Sequence, residues 1–356
     1  MQSNFWNQKK VLITGHTGFK GSWLSIWLKR LGSEICGISL AAERKSLFNQ
    51  LKLYEKIDNN NIFDINELKK LDLTINSFKP DIIFHLAAQP LVRESYIYPV
   101  KTWETNLLGS IKLLEAIKKT KKKCALIIIT TDKVYENKEW EFGYRENDAL
   151  GGHDPYSASK AALEIAVNSW RKSFCGAKDY QNPLLKIATA RAGNVIGGGD
   201  WSKDRIVPVT IRALQSEQPV YIRNKNSKRP WQHVLEPLSG YLNLAELIFS
   251  REDNIYCDSF NFGPKIESNK SVELLVKEVF KYWPGELNYD VEENNFHESN
   301  ILHLQIEKAH NILGWQPKWR FSKSVEKTTL WYKDNYISSK PAEVLCIENI
   351  EEFMST

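Results

Sequence analysis

The 356-residue sequence predicts an α/β fold built on a doubly wound parallel sheet, with a smaller α/β substrate-binding part towards the C-terminus. Two observations carry the prediction. Short apolar strand-like runs alternate with helix-period segments through the first half, the pattern of a parallel sheet covered by helices on both faces. At the start of the chain, the first strand runs through Gly15, Gly18 and Gly21 straight into a helix. Such a turn suits a diphosphate, because glycine lets it approach the backbone and the helix N-terminus presents unpaired N–H groups and a favourable dipole.

The elements follow in order. Val11–Thr14 reads as a buried strand, and Gly21–Leu31 as the helix after the glycine turn. Ile35–Ser39 is the second strand, and a third precedes Asp64-Ile65. A helix over Glu67–Phe78 leads to the strand Ile82–Leu86. A long helix over Val100–Lys119 leads to Leu126–Thr130, and one over Tyr156–Phe174 leads to Leu185–Thr189. After Arg191 the pattern changes. Pro208, Pro219, Pro230 and Pro237 break the chain into short elements, and Asp258–Phe262 reads as a strand rejoining the sheet. The expected division is residues 1–193, with 257–264, as a Rossmann-type dinucleotide-binding domain, and 194–356 mostly as an interleaved substrate domain. The tail beyond Pro341 is acidic and carries no motif.

Composition narrows the function class. Hydrophobic content of 42%, charged content of 26% and a net charge of +5 are ordinary for a globular chain of this length. The run Lys118, Lys119, Lys121, Lys122, Lys123 has no interleaved aromatic residues and reads as a solvated helix end, so no nucleic-acid partner is expected. The five cysteines are odd in number and hold no CxxC pair, which points to reduced thiols and no metal centre. No apolar run approaches the roughly 18 residues of a membrane span, and a cytoplasmic location is expected.

The chemistry concentrates in two places. Tyr156 and Lys160 stand four apart on one face of a helix, behind a strand that ends in threonines. A lysine ammonium and an oxidised nicotinamide would both favour phenolate and pull the tyrosine below its usual ~10 into general-base range. Thr131 would orient the substrate oxygen. Asp132 and Lys133 follow at once. On a bare strand end they would be a solvated pair, but beside a hydride-transfer site they add the acid/base capacity that elimination needs.

These residues sit in stretches that resemble the extended short-chain dehydrogenases, and among them the nucleotide-sugar 4,6-dehydratases of the CDP-sugar branch. The matching stretches are TGHTGFKGSWL at 14–24, HLAAQPLVRESY at 85–96, TTDKVYEN at 130–137 and YRENDALGGHDPYSASKAALE at 144–164. They continue with RAGNVIGGGDW at 191–201, RPWQHVLEPLSGYL at 229–242, FNFGP at 260–264 and LGWQPKW at 313–319. The resemblance implies NAD as cofactor, CDP-glucose as substrate and a homo-oligomer joined through the 100–119 and 156–174 helices. It implies a catalytic set of Thr131, Asp132, Lys133, Tyr156 and Lys160. The cofactor set it implies is Gly15, Thr17, Gly18, Phe19, Lys20, Gly21, Asp64, Ile65, Leu86, Ala87 and Ala88, with Tyr156 and Lys160. Substrate contacts fall to Gln89, Arg93, Asn194, Arg205 and Arg229. Arginine offers a planar fork to phosphate oxygens; the neighbouring Arg223, Lys225 and Lys228 fit an ordinary basic loop as well. Trp201 and Trp231 suit either a ligand face or the core, and His85 reads equally as a packed core histidine.

Two departures stand out. The dTDP-glucose dehydratases carry an acidic residue where Lys133 stands, so the base for C5 is left open. The second strand ends in Ser39-Leu40-Ala41 without the acidic residue usual for ribose recognition, which predicts weak discrimination between NAD and NADP. A nucleotide-sugar 4-epimerase shares the Thr–Tyr–Lys set but lacks the Asp–Lys pair. A cofactor-sensing regulator on the same fold would be expected to have lost Tyr156 or Lys160.

Overall fold

The computed structural model describes residues 4–203, 205–222, 224–289 and 302–356. Its centre is a seven-stranded sheet, every neighbouring pair parallel. The strands are β1 (Lys10–Thr14), β2 (Glu34–Ser39), β3 (Asn59–Ile62), β4 (Ile82–His85), β5 (Cys124–Ile129), β6 (Leu185–Ala192) and β7 (Ser259–Phe262). Their spatial order is β7-β6-β5-β4-β1-β2-β3. The winding reverses between β1 and β4, and a doubly wound sheet opens its ligand crevice at that switch point. Strand β7 joins β6 with Phe260 opposite Ala190, as expected for the Asp258–Phe262 run.

The central strands β4, β5 and β6 are buried at every position, which is why they read as unbroken apolar runs and not as alternating ones. Helices cover both faces, and the sheet separates the two largest apolar clusters. One cluster gathers Trp23, Trp27, Leu238, Phe260 and Trp331, and the other gathers Leu71, Leu113, Leu126, Leu163 and Ile187.

The helix expected over 100–119 runs continuously from Pro99 to Lys118 but changes its winding midway. Pro99–Trp103 and Ser110–Lys118 flank a π-helical turn at Glu104–Gly109. That turn seats Asn106, whose amide nitrogen donates to Gln89 O at 3.1 Å and Ser159 Oγ at 3.0 Å, while its oxygen accepts from Gln89 N at 2.8 Å. π-Bulges inside helices are rare and cluster at functional sites; here it ties the loop after β4 to the helix that carries Tyr156.

Beyond β6 come three two-stranded pieces: Val195–Ile196 with Gln232–His233, Lys228–Pro230 with Asn269–Ser271, and Val220–Ile222 with Leu287–Tyr289. The tail past Pro341 is a helix, Ala342–Ser355. Its Phe353 packs edge-on against Trp27 and Trp319, and Arg30 pairs with Glu351 at 2.9 Å. Among the described residues no helix is long and apolar enough to cross a membrane, no group of residues suits a metal ion, and all five cysteines are free thiols.

Candidate active site

The carboxyl ends of the sheet strands open onto a cleft of about 990 Å³. Its floor is the glycine turn. Gly15 takes φ +76°, and a side-chain carbon there would meet Ala87 N at 2.7 Å, so β1 and the loop after β4 approach as closely as they do only because the residue is glycine. A Cβ on Gly21 would lie 2.2 Å from Gly15 O, which locks the helix Phe19–Arg30 against the turn. Gly18 is exposed, and its Cβ would meet only Gly15 O at 3.3 Å. It caps a helix with no acidic residue in its first turn. An open N-terminus with unopposed N–H groups beside a cleft is a fit for a diphosphate.

Thr17 fastens this turn to the end of β2, its hydroxyl 2.7 Å from Ser39 Oγ and donating to Leu40 O at 3.0 Å. Phe19, Lys20, Asp64, Ile65, Leu86, Ala87 and Ala88 all border the cleft. One oxygen of Asp64 accepts from both Asn66 N and Asn66 Nδ2, at 2.8 and 3.1 Å. Ser39 and Leu40 line the wall with no acidic group between them.

The catalytic candidates come together at the far end. Thr131 caps a short 3₁₀ turn, Asp132–Val134, directly after β5; its Oγ accepts from Lys133 N at 3.3 Å and donates to Asp132 Oδ1 at 3.0 Å. Asp132 is 3% exposed. Burial raises its pKa above the ordinary carboxyl value, against the opposing pull of Lys133, the Thr131 hydrogen bond, Arg229 and Lys20. Gly193 makes room for it, since a Cβ there would stand 2.7 Å from Asp132 Oδ2.

Tyr156 opens the helix Pro155–Phe174, which Asp154 caps by accepting from Ser157 N. The expected depression of its phenol is not what the protein alone produces: burial pushes it up to about 12. The Thr131 hydrogen bond and Arg205 pull it down, Asp132 pushes it up, and Lys160 is not among the main influences. Lys160 Nζ instead donates to Ile129 O at 3.3 Å, and burial lowers it to about 8 against the pull of Glu164. Dehydration of both groups outweighs the charge argument drawn from spacing.

Asn194, Arg93, Arg205 and Arg229 border the cleft. Arg205 is held by Asp200, whose buried carboxylate accepts from Arg205 Nη1 at 2.9 Å and from Ser202 Oγ at 2.6 Å. Gln89, expected as a substrate contact, donates from its amide to Leu91 O and Thr102 Oγ1 and accepts at its oxygen from Leu91 N, which holds the loop beside the cleft. His85 is a core residue, with Nδ1 2.7 Å from Thr14 Oγ1 and Nε2 2.7 Å from Ser110 Oγ. Trp231 borders the cleft, whereas Trp201 packs edge-on against Tyr332. Arg223 lies outside the described residues.

Sequence reading passed over the buried pair behind Lys160. Glu164 accepts from Arg191 Nη2 at 2.9 Å, Thr130 Oγ1 at 2.6 Å and Thr189 Oγ1 at 2.8 Å. Its signal was the i+4 spacing from Lys160 on one helix.

The sequence model of the GDP-mannose 4,6 dehydratase family matches residues 12–328. The chain belongs to that family. The sequence is 42% identical to the CDP-glucose 4,6-dehydratase of Salmonella typhimurium over 100% of this chain and 99% of the relative. Solved structures at lower identity share the fold. The UDP-glucose 4-epimerase of Thermotoga maritima gives a TM-score of 0.75 at 21% identity, covering 92% of this chain and 99% of its own. The dTDP-glucose 4,6-dehydratase of Bacillus anthracis, solved with NAD, gives 0.74 at 20% identity, covering 92% and 97%. The nucleotide-sugar 4,6-dehydratase resemblance of the sequence motifs is borne out at the level of this family.

Proposed function

We propose that the protein is an NAD-dependent CDP-glucose 4,6-dehydratase, a hydro-lyase giving CDP-4-keto-6-deoxyglucose. The observation that carries this reading is the buried acid, Asp132, packed against Thr131 in the same cleft as Tyr156. The choice of base is supported by the Salmonella relative.

The glycine turn, Thr17 and Phe19 would hold the dinucleotide, with Asp64 and Ile65 at its adenine end and Leu86 to Ala88 along the wall. When bound, NAD supplies a hydride acceptor for sugar C4 and a donor for C6. Tyr156 takes the C4 hydroxyl proton, with Thr131 orienting that oxygen. The Thr131 hydrogen bond and Arg205 favour the phenolate. The resulting 4-ketone acidifies C5–H. Asp132 then donates its proton to the departing C6 hydroxyl, so that water leaves, a role suited to a carboxyl that burial inclines to keep its proton. Lys133, next in the chain, lines the cleft beside it, and the base for C5 is left unassigned. Arg93, Asn194, Arg205 and Arg229 would bind the nucleotide sugar, Arg205 from the anchor of Asp200.

Residues 1–193 with 257–264 would serve the cofactor and 194–356 the sugar nucleotide. With no acidic group at the end of β2, preference for NAD over NADP should be weak. Exposed Val100, Trp103, Leu108 and Ile165 lie on the two helices expected to join copies of the chain, which supports a homo-oligomer. Reduced cysteines support a cytoplasmic setting.

The test is mass spectrometry of the enzyme incubated separately with CDP-, dTDP-, UDP- and GDP-glucose. A product one water lighter, formed fastest from CDP-glucose, is expected. A product of unchanged mass would mean epimerisation and overturn the reading.

A further inference from the structure

Lys20 is the one cation of the glycine turn. It sits at N2 of its helix, borders the cleft, and reaches the catalytic end, where Asp132, Lys160 and Arg205 are its charged neighbours and Tyr241 lies under it with the ammonium 5.9 Å from the ring. Its ammonium donates no hydrogen bond and forms no ion pair to any described residue. Burial, Arg205 and Lys160 lower its pKa to about 8, against Asp132. A half-buried lysine among two other cations, without an acceptor of its own, is a cost to the folded protein that a bound ligand must offset.

A dinucleotide offers two ways to do so. Its diphosphate would attract the ammonium equally in the oxidised and reduced forms. Its nicotinamide is cationic when oxidised and neutral when reduced, so a fixed positive charge near the ring favours the reduced form. The neighbours of Lys20 decide between them, because Lys160, Asp132 and Arg205 surround the hydride-transfer end and not the adenine end at Asp64 and Ile65.

We propose that Lys20 sets the hydride affinity of the bound cofactor: its charge disfavours oxidised relative to reduced nicotinamide, easing hydride removal from C4 and holding the hydride while water is lost. The inference rests on the proposed NAD-dependent reaction. In a simple dehydrogenase the reduced cofactor leaves; in an internal redox cycle it must persist through a second step, and a cation that stabilises it serves that step.

The test is equilibrium binding of NAD+, NADH and ADP-ribose to nucleotide-free full-length protein, wild type against Lys20→Met, with Lys20→Arg to keep the charge. The ratio Kd(NAD+)/Kd(NADH) should fall on the order of tenfold in Lys20→Met, equivalent to a downward shift of about 30 mV for the two-electron couple. ADP-ribose affinity should hold, and Lys20→Arg should keep the wild-type ratio. Equal weakening of all three ligands in Lys20→Met would make Lys20 a diphosphate contact and overturn the proposal. So would an unchanged ratio, or a Lys20→Arg ratio as low as the neutral variant's. Wild-type protein that binds ADP-ribose but neither dinucleotide would instead bring down the NAD-dependent reading, and this inference with it.

Discussion

Replacing Asp132 by Asn tests the elimination step while sparing the oxidation. The side chain is 3% exposed and accepts from Thr131 Oγ1 at 3.0 Å, with Gly193 leaving no spare room behind it. Asparagine has nearly the same shape and keeps an oxygen for Thr131, so the change in stability should stay near 1 kcal/mol. The amide cannot give up a proton to the C6 hydroxyl. Loss of a positioned general acid costs on the order of 10²–10⁴ in rate, or about 3–5 kcal/mol of barrier. Oxidation at C4 depends on Tyr156, Thr131 and Lys160, which the substitution leaves in place. The first step should therefore run near the wild-type rate. Stopped-flow absorbance of the nicotinamide should show fast reduction on mixing with CDP-glucose, then a long plateau with little dehydrated product. Solvent deuterium should enter C5 if proton removal there outlives the block. Native-rate water loss in this variant would refute the acid assignment and leave Asp132 as an electrostatic support for its turn.

Three further outcomes follow from the same geometry. Tyr156→Phe should lose 10²–10⁴ in the rate of nicotinamide reduction with dinucleotide affinity kept; single-turnover absorbance and a binding titration measure the two separately. Gly18→Ala should fold normally but bind dinucleotide weakly, whereas Gly21→Ala, whose Cβ would lie 2.2 Å from Gly15 O, should lower the melting temperature itself; calorimetry with and without NAD separates them. Glu236 is fully buried and accepts from Lys318 N and Trp319 N, and burial raises its carboxyl from 4.5 to about 7. A folded-state pKa above the unfolded one means the folded protein binds the proton more tightly, so this stabilisation is full below pH 4.5 and lost as pH rises through about 7. Urea melts of wild type and Glu236→Gln should diverge by about 3 kcal/mol between those limits, the wild type losing ground towards alkaline pH; a pH-independent difference would refute it.

The legible parts of this chain are those where one local pattern decides the outcome. β4, β5 and β6 are buried on both faces, so no alternation competes with their apolar runs, and Gly18 and Gly21 answer to the backbone of Gly15 within the same turn. The π-turn at Glu104–Gly109 was not legible, because it goes with Asn106 bonding to Gln89 and Ser159, contacts 17 and 53 residues away. Gln89 shows the same limit: its bonds to Leu91 O and Thr102 Oγ1 depend on how the loop after β4 folds, which its place after a strand end does not reveal. The C-terminal tail hid its role because Phe353 finds Trp27 and Trp319 from other parts of the chain. The site shows the sharpest form of this limit. Spacing puts Tyr156 and Lys160 on one helix face, and from that alone the lysine charge should dominate the phenol. Their protonation is set instead by dehydration, which depends on everything packed around them, and the larger influences that remain on the phenol come from Thr131, Asp132 and Arg205, on other elements, with Asp154 at the helix cap adding to them. Residue identity can therefore be read from local sequence in this cleft, while proton affinity belongs to the assembled fold. That is why the Asp132 and Lys20 variants, which remove a proton donor and a charge while nearly preserving shape, are the informative ones.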